Sequence, residues 1–305
     1  MVLSAWERIW GETVERMKTA VALGLFDGVH LGHRAVLKMA CEQSGNGLIP
    51  AVFTFDPQSV SYKSGADQGY IYGQRQKQML LCDCGVRCFY SPPFEKIKSF
   101  SGESFVKRVL KQRLNALYVC CGNDFRFGAG ASCGVDDLRA FGKMYGFEVQ
   151  VADDVRIGDS IVSSSEIRRR LSSGDVAGAN ELLGKPYTIS GTVVDGNHIG
   201  RTIDFPTINQ NFSQGQLVPA YGVYSAEIVI DGKSFRAVTN IGVKPTIDGE
   251  RSPLAETHIL GFSGDLYGRQ LEVALTGRIR PERKFASLDE LRAQISRDIS
   301  AATDI

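Results

Sequence analysis

The stretch Val21-Ala-Leu-Gly-Leu-Phe-Asp-Gly-Val-His-Leu-Gly-His33 decides the fold class of the first part of this chain. Its apolar start, Val21–Phe26, predicts a buried strand, and the glycines that follow predict a tight turn. A helix is expected to begin near Leu31 and to end near Glu42. A strand, a short turn and a helix in this order belong to a parallel α/β sheet, whose ligands bind beyond the carboxyl ends of the strands.

Strands and helices continue to alternate up to Val151. The further predicted strands are Pro50–Phe55, Val86–Tyr90, Leu117–Cys121 and Phe147–Val151. The further predicted helices are Gln74–Leu81, Ser104–Leu114 and Asp136–Met144. This alternation with short turns predicts an N-terminal α/β domain that is built on a parallel sheet.

The pattern changes after Gly184-Lys-Pro-Tyr187, where short β-branched stretches are separated by glycine or aspartate. Asp231-Gly232 between two such stretches predicts a tight hairpin, and Ser287 followed by Glu290 predicts the start of a closing helix, Leu288–Ile299. The predicted strands are Thr188–Val194, Val223–Ile230, Lys233–Thr239, Glu256–Leu260 and Leu271–Leu275. We predict two domains, residues 1–184 and residues 185–305, of which the second is a small antiparallel β-barrel with a closing helix.

The composition limits the function classes that the chain can belong to. Its 305 residues are 43% hydrophobic and 23% charged, which excludes disordered, collagen-like and coiled-coil chains. Lys and Arg total 35 and Asp and Glu total 34, so a net charge of +1 provides no overall field for nucleic acid or an anionic membrane. No apolar stretch approaches the roughly 18 residues of a membrane span, and charges near the N-terminus argue against a signal peptide. We expect a cytoplasmic protein without a membrane or nucleic-acid partner, and its oligomeric state stays open.

All seven cysteines lie between Cys41 and Cys133. The spacing of Cys82, Cys84 and Cys88 does not match a zinc site, because neither a nearby histidine nor a second C-x-x-C pair accompanies it. We therefore expect reduced, structural thiols rather than metal ligands.

Two of the four histidines, His30 and His33, lie three residues apart at the predicted helix start. Positions i and i+3 share one helical face, so both imidazoles can reach the same anion, and Gly32 between them permits close approach. Backbone N–H groups at a helix start add to such a phosphate site. These features predict nucleotidyl transfer, in which the phosphates of ATP are held while the α-phosphorus is attacked. The alternative is a pair of surface histidines beside a glycine turn.

Two later segments could complete this site. Val162-Ser-Ser-Ser-Glu-Ile-Arg168 places serines at a helix start with an arginine one turn later, which suits an anion. Its alternative is a plain helix cap with solvated arginines. Gly122-Asn-Asp-Phe-Arg-Phe-Gly128 follows the predicted strand Leu117–Cys121, and its alternative is a turn with two core phenylalanines.

These motifs resemble those of the FMN adenylyltransferase module of prokaryotic bifunctional riboflavin kinase/FAD synthetases. The matching segments are Gly24–His33, Gly122–Gly128, Ser163–Arg168 and the linker Leu182–Tyr187. The resemblance implies a Rossmann-like nucleotidyltransferase fold in which His30 and His33 contact ATP phosphates, with Asn123 and Arg168 also in the active site. The other nucleotide-binding positions that it implies are Gly24, Phe26, Asp27, Gly28, Gly32, Asp124, Ser164 and Ser165.

Three positions depart from the pattern of that family. The usual Pro-His-Pro reads Pro57-Gln58-Ser59, Ala131 replaces a common arginine, and Ser165 replaces the usual threonine but keeps a hydroxyl. A kinase with a weak or vestigial nucleotide domain is therefore an alternative.

The predicted barrel contains the residues of a second site. Gly191-Thr-Val-Val-Asp-Gly196-Asn-His-Ile-Gly200-Arg201 is a glycine-rich loop whose backbone can close over phosphates. Thr207 and Asn209 point the same way if their segment is extended, which gives two neutral oxygens for a magnesium ion that carries ATP. Glu256 could take a proton from a primary alcohol, which is a poor nucleophile at neutral pH. The alternatives are a simple turn and a solvated acid at a strand edge.

Together these strings resemble the riboflavin kinase module of the same enzymes, as do Asn240–Thr246, Asp265–Gly268 and Ile279–Phe285. The resemblance implies a flap with Gly191, Gly196, Gly200 and Arg201, an Mg2+–ATP site at Thr207 and Asn209, and Glu256 as the catalytic base. Asp204 stands where the family usually has glycine. The implied function is ATP-dependent phosphorylation of riboflavin to FMN, followed by adenylylation of FMN to FAD. A protein that binds flavin or ATP without turnover is the alternative class.

Overall fold

The computed structural model describes residues 17–55, 69–196, 205–245 and 251–303. The described residues form two compact units. The first unit contains residues 17–55 and 72–163, and the second unit contains residues 69–71 and 164–303. Compact units and domains that carry activities need not share boundaries, so the domain division after residue 184 stays a prediction.

Five parallel strands form the sheet of the first unit. They are β1 (Thr19–Leu23), β2 (Ile49–Phe53), β3 (Cys88–Tyr90), β4 (Ala116–Gly122) and β5 (Glu148–Ala152). Their order is β3-β2-β1-β4-β5, and every neighbouring pair is parallel. Leu23 at the end of β1 pairs with Phe53 at the end of β2, so the segments that follow both strands meet at one edge of the sheet. The predicted parallel α/β sheet is confirmed.

The helices of the first unit lie close to their predicted positions. They are α1 (Leu31–Glu42), α2 (Gln74–Asp83), α3 (Gly102–Phe105) with a π-helix Val106–Arg113 after it, and α4 (Val135–Tyr145). Strand β1 ends three residues before the predicted Phe26, because Phe26 has a φ of 50°, which is outside the strand region. The early end turns the chain into a loop that delivers His30 to the start of α1.

Six antiparallel strands curl into a half-barrel in the second unit. They are β8 (Tyr187–Thr192), β9 (Thr207–Asn211), β10 (Gly222–Ile230), β11 (Lys233–Pro245), β12 (Arg251–Ile259) and β13 (Gln270–Pro281), in the order β8-β13-β10-β11-β12-β9. Nε2 of the fully buried Gln210 donates to the carbonyls of Gly191 and Leu271, each at 2.9 Å. These bonds tie edge strand β9 to β8 and β13, so the curled sheet approaches closure.

Two local predictions for the second unit are confirmed. Asp231 and Gly232 connect β10 to β11 with φ angles of 50° and 79°, as a tight hairpin requires. The closing helix α7 (Leu288–Thr303) begins after Ser287, whose hydroxyl accepts a hydrogen bond from the Glu290 N–H at 3.2 Å.

Sequence reasoning missed a short hairpin and one helix, and it predicted the start of the helix that contains Ser164 and Arg168. A short hairpin in the first unit comprises β6 (Arg156–Ile157) and β7 (Ser160–Ile161). In the second unit, α5 (Ser164–Ser173) is followed by α6 (Val176–Leu183). Asp175 caps α6 by accepting a bond from the Gly178 N–H, and Gly184 ends it with a φ of 69°, so both helix signals were present in the sequence.

The seven cysteines are all free thiols. Cys120 and Cys121 are buried in β4, as the predicted strand requires, and burial raises the pKa of Cys120 far above its usual value and that of Cys121 to about 12. Both thiols therefore stay protonated and behave as apolar side chains. Among the described residues, no group of three or more His, Cys, Asp or Glu side chains could hold a metal. A helix that is long and apolar enough to cross a membrane is likewise missing from that part of the chain.

A buried ion pair attaches α7 to the half-barrel. The guanidinium of Arg280 donates to both carboxylate oxygens of Asp298 at 2.8–3.1 Å, and Asp298 is only 2% exposed. Removing one partner of a buried pair leaves the other charge unpaired, which costs roughly 3–5 kcal/mol. We therefore expect Asp298→Ala to lower the free energy of unfolding of the second unit by about that amount in denaturant titrations. The control is Asp289→Ala on the exposed side of the same helix, and equal losses in the two variants would contradict the prediction.

Candidate active sites

The loop between β1 and α1 holds His30 and His33 in a fixed relationship. His30 caps α1, because its Nδ1 accepts a hydrogen bond from the His33 N–H at 3.2 Å. The two imidazole rings stack with their centroids 3.5 Å apart and their planes 17° apart, and Phe26 contacts the edge of the pair through His33 at 5.2 Å. Both rings therefore belong to one rigid cluster at the amino end of a helix, where backbone N–H groups and the helix dipole favour an anion.

The same loop is strained and buried. Phe26 and Val29 have φ angles of 50° and 43°, which side chains with a Cβ rarely adopt, and Gly28 between them has a φ of 85°. Phe26 and Val29 are each 1% exposed, and Asp27 is 2% exposed. Backbone strain of this kind costs about 1–3 kcal/mol per residue and persists only where the surrounding structure holds it. The geometry of the loop is therefore set by packing, which is typical of a functional site.

Two glycines, Gly24 and Gly32, leave space that the rings of Phe26 and His30 occupy. A Cβ at Gly32 would lie 3.2 Å from the His30 ring and 3.3 Å from the Val162 carbonyl oxygen. A Cβ at Gly24 would lie 3.1 Å from the Phe26 ring. Any larger residue at these positions would displace the aromatic rings that form the cluster.

Asn123 and Asp124 lie directly after β4, the other neighbour of β1 in the sheet. Both side chains are exposed, and the Phe125 N–H closes a tight turn on the Gly122 carbonyl at 3.3 Å. Phe127 then pairs with Cys133 through two backbone hydrogen bonds, which close the following part of the loop. The loop that contains Asn123 therefore emerges at the same carboxyl edge as the histidine loop.

A cavity of about 550 Å³ opens beside this loop, and sequence reasoning did not find it. Seven phenylalanines line it: Phe53, Phe55, Phe94, Phe100, Phe105, Phe125 and Phe127. Aromatic walls of this kind suit a flat, conjugated ligand. The only signal in the sequence is the i, i+2 pairing of phenylalanines after β2 and in the Asn123 loop, which is equally typical of core residues.

Ser164, Ser165 and Arg168 lie on α5, in the second unit. Ser164 is the first residue of the helix and Ser165 is exposed. Arg168 is 8% exposed, and its Nε donates to the Gly69 carbonyl at 2.9 Å. Hydrogen bonds from Arg169 and Arg170 lower the pKa of the neighbouring Glu166 to about 2, so this carboxylate stays ionised within a helix-surface ion network. Arg168 is thus a buried, positioned guanidinium, unlike its more exposed neighbour Arg169.

Thr207, Asn209 and Glu256 lie on one face of the half-barrel. Thr207 and Asn209 are two residues apart on β9, so both side chains point the same way. Glu256 on β12 pairs directly with Asn209, and Asn240 on β11 pairs with Glu256 from the other side. Directly opposite residues share a face of the sheet, so a half-exposed carboxylate stands between two amides.

Among the described residues on this face of the half-barrel, Asn209 is the best suited to bind a metal ion. It is 4% exposed, and its Oδ1 is buried without a hydrogen-bond partner. A buried carbonyl oxygen left unpaired costs about 1–3 kcal/mol, and neutral oxygens are ligands that Mg2+ accepts when it carries ATP. The oxygen therefore fits a magnesium ion that is delivered with the nucleotide.

The start of the predicted flap meets Asn209. The Val194 N–H donates to the Asn209 carbonyl at 2.9 Å, and a Cβ at Gly196 would lie 2.3 Å from the Asn209 Nδ2. Gly196 is therefore required for this close approach. Gly191 lies on β8 with its backbone against the Gln210 amide. Gly200, Arg201 and Asp204 lie outside the described residues, as do Gln58 and Ser59.

His258 has a structural role in this geometry. Its Nδ1 donates to the Pro206 carbonyl at 2.8 Å, and Phe205 packs edge-on against its ring at 5.4 Å. These contacts hold the residues just before Thr207.

Comparisons with known proteins cover both units. Residues 13–166 match the FAD synthetase family and residues 183–305 match the riboflavin kinase family. A bifunctional riboflavin kinase/FMN adenylyltransferase of Escherichia coli K12 is 38% identical over 282 residues, which are 91% of this chain and 90% of that protein. The protein of the same name from Bacillus subtilis 168 is 36% identical, over 93% of this chain and 91% of its own. A solved structure described as a macrolide-efflux protein from Streptococcus pneumoniae is similar over 95% of both chains, with a TM-score of 0.83 and 29% identity.

Proposed function

This chain belongs to the family of bifunctional riboflavin kinases/FMN adenylyltransferases, and we propose that its two reactions are divided between its parallel sheet and its half-barrel. The enzyme converts riboflavin to FMN and FMN to FAD, with ATP as the second substrate. We assign the kinase to the half-barrel, in line with the match of residues 183–305, and adenylyl transfer to the parallel sheet, in line with the match of residues 13–166. The observation that carries the kinase assignment is the buried, unpaired Asn209 oxygen on the strand paired with Glu256.

In the kinase step, Glu256 takes the proton of the riboflavin 5′-hydroxyl while that oxygen attacks the γ-phosphorus of ATP, and ADP leaves with the bridging oxygen. The alcohol needs a base, because it is almost fully protonated and weakly nucleophilic near neutral pH. Glu256 is half-exposed on its strand, so a substrate can reach it. Asn209 and Thr207 hold the nucleotide on the same face, which places the donor phosphate and the base side by side.

Thr207 and Asn209 would hold the magnesium ion through their side-chain oxygens. When bound, the ion offsets the negative charge that develops on the transferred phosphoryl group. The half-exposed hydroxyl and the buried amide oxygen are both neutral, so the net charge of the site comes from the ion and the nucleotide. Glu256 stays available as a base because the two neutral side chains bind the ion.

The role of Asn209 predicts a specific magnesium phenotype. Asn209→Leu keeps the volume but removes the oxygen, so we expect half-maximal FMN formation to need about 10- to 100-fold more Mg2+, the size of effect seen when support of a bound metal is lost. The measurement is the rate of FMN formation against Mg2+ concentration. Asn211→Leu, two residues further along β9 on the same face but exposed, is the matched control. An unchanged magnesium requirement in Asn209→Leu would contradict the assignment.

In the adenylylation step, a phosphate oxygen of FMN attacks the α-phosphorus of ATP and pyrophosphate leaves. This oxygen is already anionic, so no base is needed and the site must supply positive charge and N–H donors. The stacked pair His30 and His33, together with the first N–H groups of α1, suits the phosphates of ATP. We assign Asn123, which lies in the same unit, to the same nucleotide. For Ser164, Ser165 and Arg168, a role at this nucleotide is implied by the family pattern alone.

We further propose that the aromatic cavity of the first unit receives the isoalloxazine ring of FMN. Its volume of about 550 Å³ is sufficient for a flavin ring system, and phenylalanine walls provide stacking surfaces. Phe125 and Phe127 line this cavity from the loop that contains Asn123, so the flavin would lie beside the residues that contact the reacting phosphates.

A flavin-separation assay tests both steps on the full chain. Incubation with riboflavin, ATP and Mg2+ should yield FMN and then FAD, and incubation with FMN and ATP should yield FAD and pyrophosphate. The absence of FMN in the first incubation would overturn the kinase assignment. FMN without FAD would show that the nucleotide site, in which Ala131 and Ser165 depart from the family pattern, does not turn over.

We also propose that the protein acts in the cytoplasm on small molecules alone. None of the seven cysteines forms a disulfide, which fits a reducing compartment. The net charge of +1 argues against a nucleic-acid partner.

A further inference from the structure

Lys77 on α2 is a buried lysine to which neither proposed reaction assigns a role. It is 2% exposed, which is rare for a lysine because a buried ammonium loses its hydration. Its Nζ donates to the Leu25 carbonyl at 3.2 Å, to the Thr54 hydroxyl oxygen at 3.1 Å and to the Phe55 carbonyl at 2.6 Å. Three acceptors of the protein therefore hold the Lys77 ammonium in place.

The three acceptors lie where two neighbouring strands end. Leu25 is two residues beyond β1, and Thr54 and Phe55 directly follow β2. The Thr54 hydroxyl also donates to the Leu25 carbonyl at 2.8 Å, and the Thr54 N–H donates to the carbonyl of Tyr90, the last residue of β3. The ammonium therefore connects the carboxyl ends of β1 and β2, with β3 attached through Thr54.

Leu25 immediately precedes the strained part of the histidine loop. Phe26, with its φ of 50°, is the next residue, and His30 caps α1 five residues after Leu25. A loop with two left-handed residues needs an anchor, because backbone strain persists only where the surrounding structure holds it. The hydrogen bond from Lys77 to the Leu25 carbonyl provides such an anchor. Leu25 is the first exposed residue of the loop, and its side chain is 43% exposed.

We propose that Lys77 is a positioning residue for adenylyl transfer, whose ammonium fixes the start of the loop that holds His30 and His33. The proposal rests on the assignment of that loop to ATP phosphates. Without the ammonium, Leu25 and Phe55 lose a charged donor, the loop relaxes, and the stacked imidazoles move away from the phosphates. A displacement of catalytic groups by about 1 Å can reduce a rate about 100-fold.

Lys77→Met tests the proposal in the full chain, because methionine has a similar length without the donors. We expect kcat for FAD formation from FMN to fall about 100-fold, and KM for ATP in that reaction to rise about 10-fold, as for a weakened bond to a charged group. FMN formation from riboflavin by the same preparation should stay within about twofold. A preparation that is merely less folded would show a lower kcat with an unchanged KM, so the KM for ATP separates positioning from loss of structure.

Lys111→Met is a matched control in the same unit. Nζ of Lys111 also donates to two backbone carbonyls, those of Ala116 at 2.9 Å and Gly146 at 3.3 Å. These carbonyls lie at the start of β4 and just before β5, at the opposite edge of the sheet from the histidines. We expect Lys111→Met to leave the KM for ATP in FAD formation, and the rate of that reaction, within about threefold of the parent protein.

Thr54→Val keeps the proposal testable if Lys77→Met does not fold. Valine has the same shape but removes one Lys77 acceptor and the donor to Leu25, so a rise in KM for ATP of several-fold is expected. If Lys77→Met folds with a KM for ATP like that of Lys111→Met, the proposal is overturned. It is also overturned if Thr54→Val leaves that KM unchanged when Lys77→Met is unfolded. If the parent protein itself makes no FAD from FMN, the assignment of the histidine loop fails instead, so the two failures are distinguishable.

Discussion

Glu256→Gln is expected to reduce kcat for FMN formation by about 10²- to 10⁴-fold, the range that removal of a general base produces. Glutamine keeps the shape and the hydrogen-bonding capacity of the side chain, but its amide cannot accept the proton of the riboflavin hydroxyl. Glu256 stands between Asn209 and Asn240 in the strand register, so an amide fits this row without repacking. The loss should therefore appear in kcat, whereas KM for ATP should change little.

The second reaction provides the internal control for this variant. Adenylylation of FMN uses no base in the proposed mechanism, so Glu256→Gln should form FAD from added FMN at the parent rate. Glu272→Gln, an exposed acid on β13, is the matched control for a solvated strand carboxylate. If Glu256→Gln forms FMN at a rate within about threefold of the parent rate, Glu256 is not the catalytic base. Equal losses of both reactions would indicate general damage to the chain.

The sequence predicts the parts of the fold that depend on local signals. The α1 boundaries, Leu31 and Glu42, are confirmed without change, because a glycine turn and an apolar helix face mark them. Asp231-Gly232 is also confirmed, since few other dipeptides accept two left-handed residues in succession. The parallel sheet follows from the alternation of strands and helices. In each case a few neighbouring residues determine the outcome.

The aromatic cavity and the Lys77 contacts could not be predicted, because each depends on residues that are distant in sequence. The cavity combines phenylalanines from β2, from the helical region near Phe105 and from the Asn123 loop, and each of them alone is typical of a core residue. Lys77 is one of three charged residues on α2, and nothing in the sequence shows that the fold buries it. The i, i+2 spacing predicted that Thr207 and Asn209 point the same way, but only the strand register shows that Glu256 shares their face.

Prediction of the candidate nucleotide site is limited by the separation of its residues along the chain. His30 and His33 come from one helix start, and the structure adds that their rings stack and that His30 is itself the helix cap. A replacement of His30 therefore changes two things at once, the imidazole and the cap. An informative variant must remove the imidazole and retain the helix cap.

His30→Asn meets this requirement, because asparagine is among the best capping residues and has no imidazole. We expect FAD formation from FMN to fall about 10²- to 10³-fold, the cost of removing one preorganised donor from a developing charge. The thermal midpoint of the first unit should stay close to that of the parent protein, whereas His30→Ala should also lose about 1 kcal/mol of stability with the cap. FMN formation from riboflavin should be unchanged in both variants.

A comparison with His258→Asn shows whether the loss of FAD formation is specific to the stacked histidines. The His258 ring binds the Pro206 carbonyl in the half-barrel, so its replacement should leave the conversion of FMN to FAD intact. If His30→Asn forms FAD as fast as the parent protein, the loop does not hold the phosphates of ATP. If only His30→Ala is slow, the helix cap rather than the imidazole supports the reaction. A loss in His30→Asn at full stability leaves the imidazole as the group that the adenylyl transfer needs.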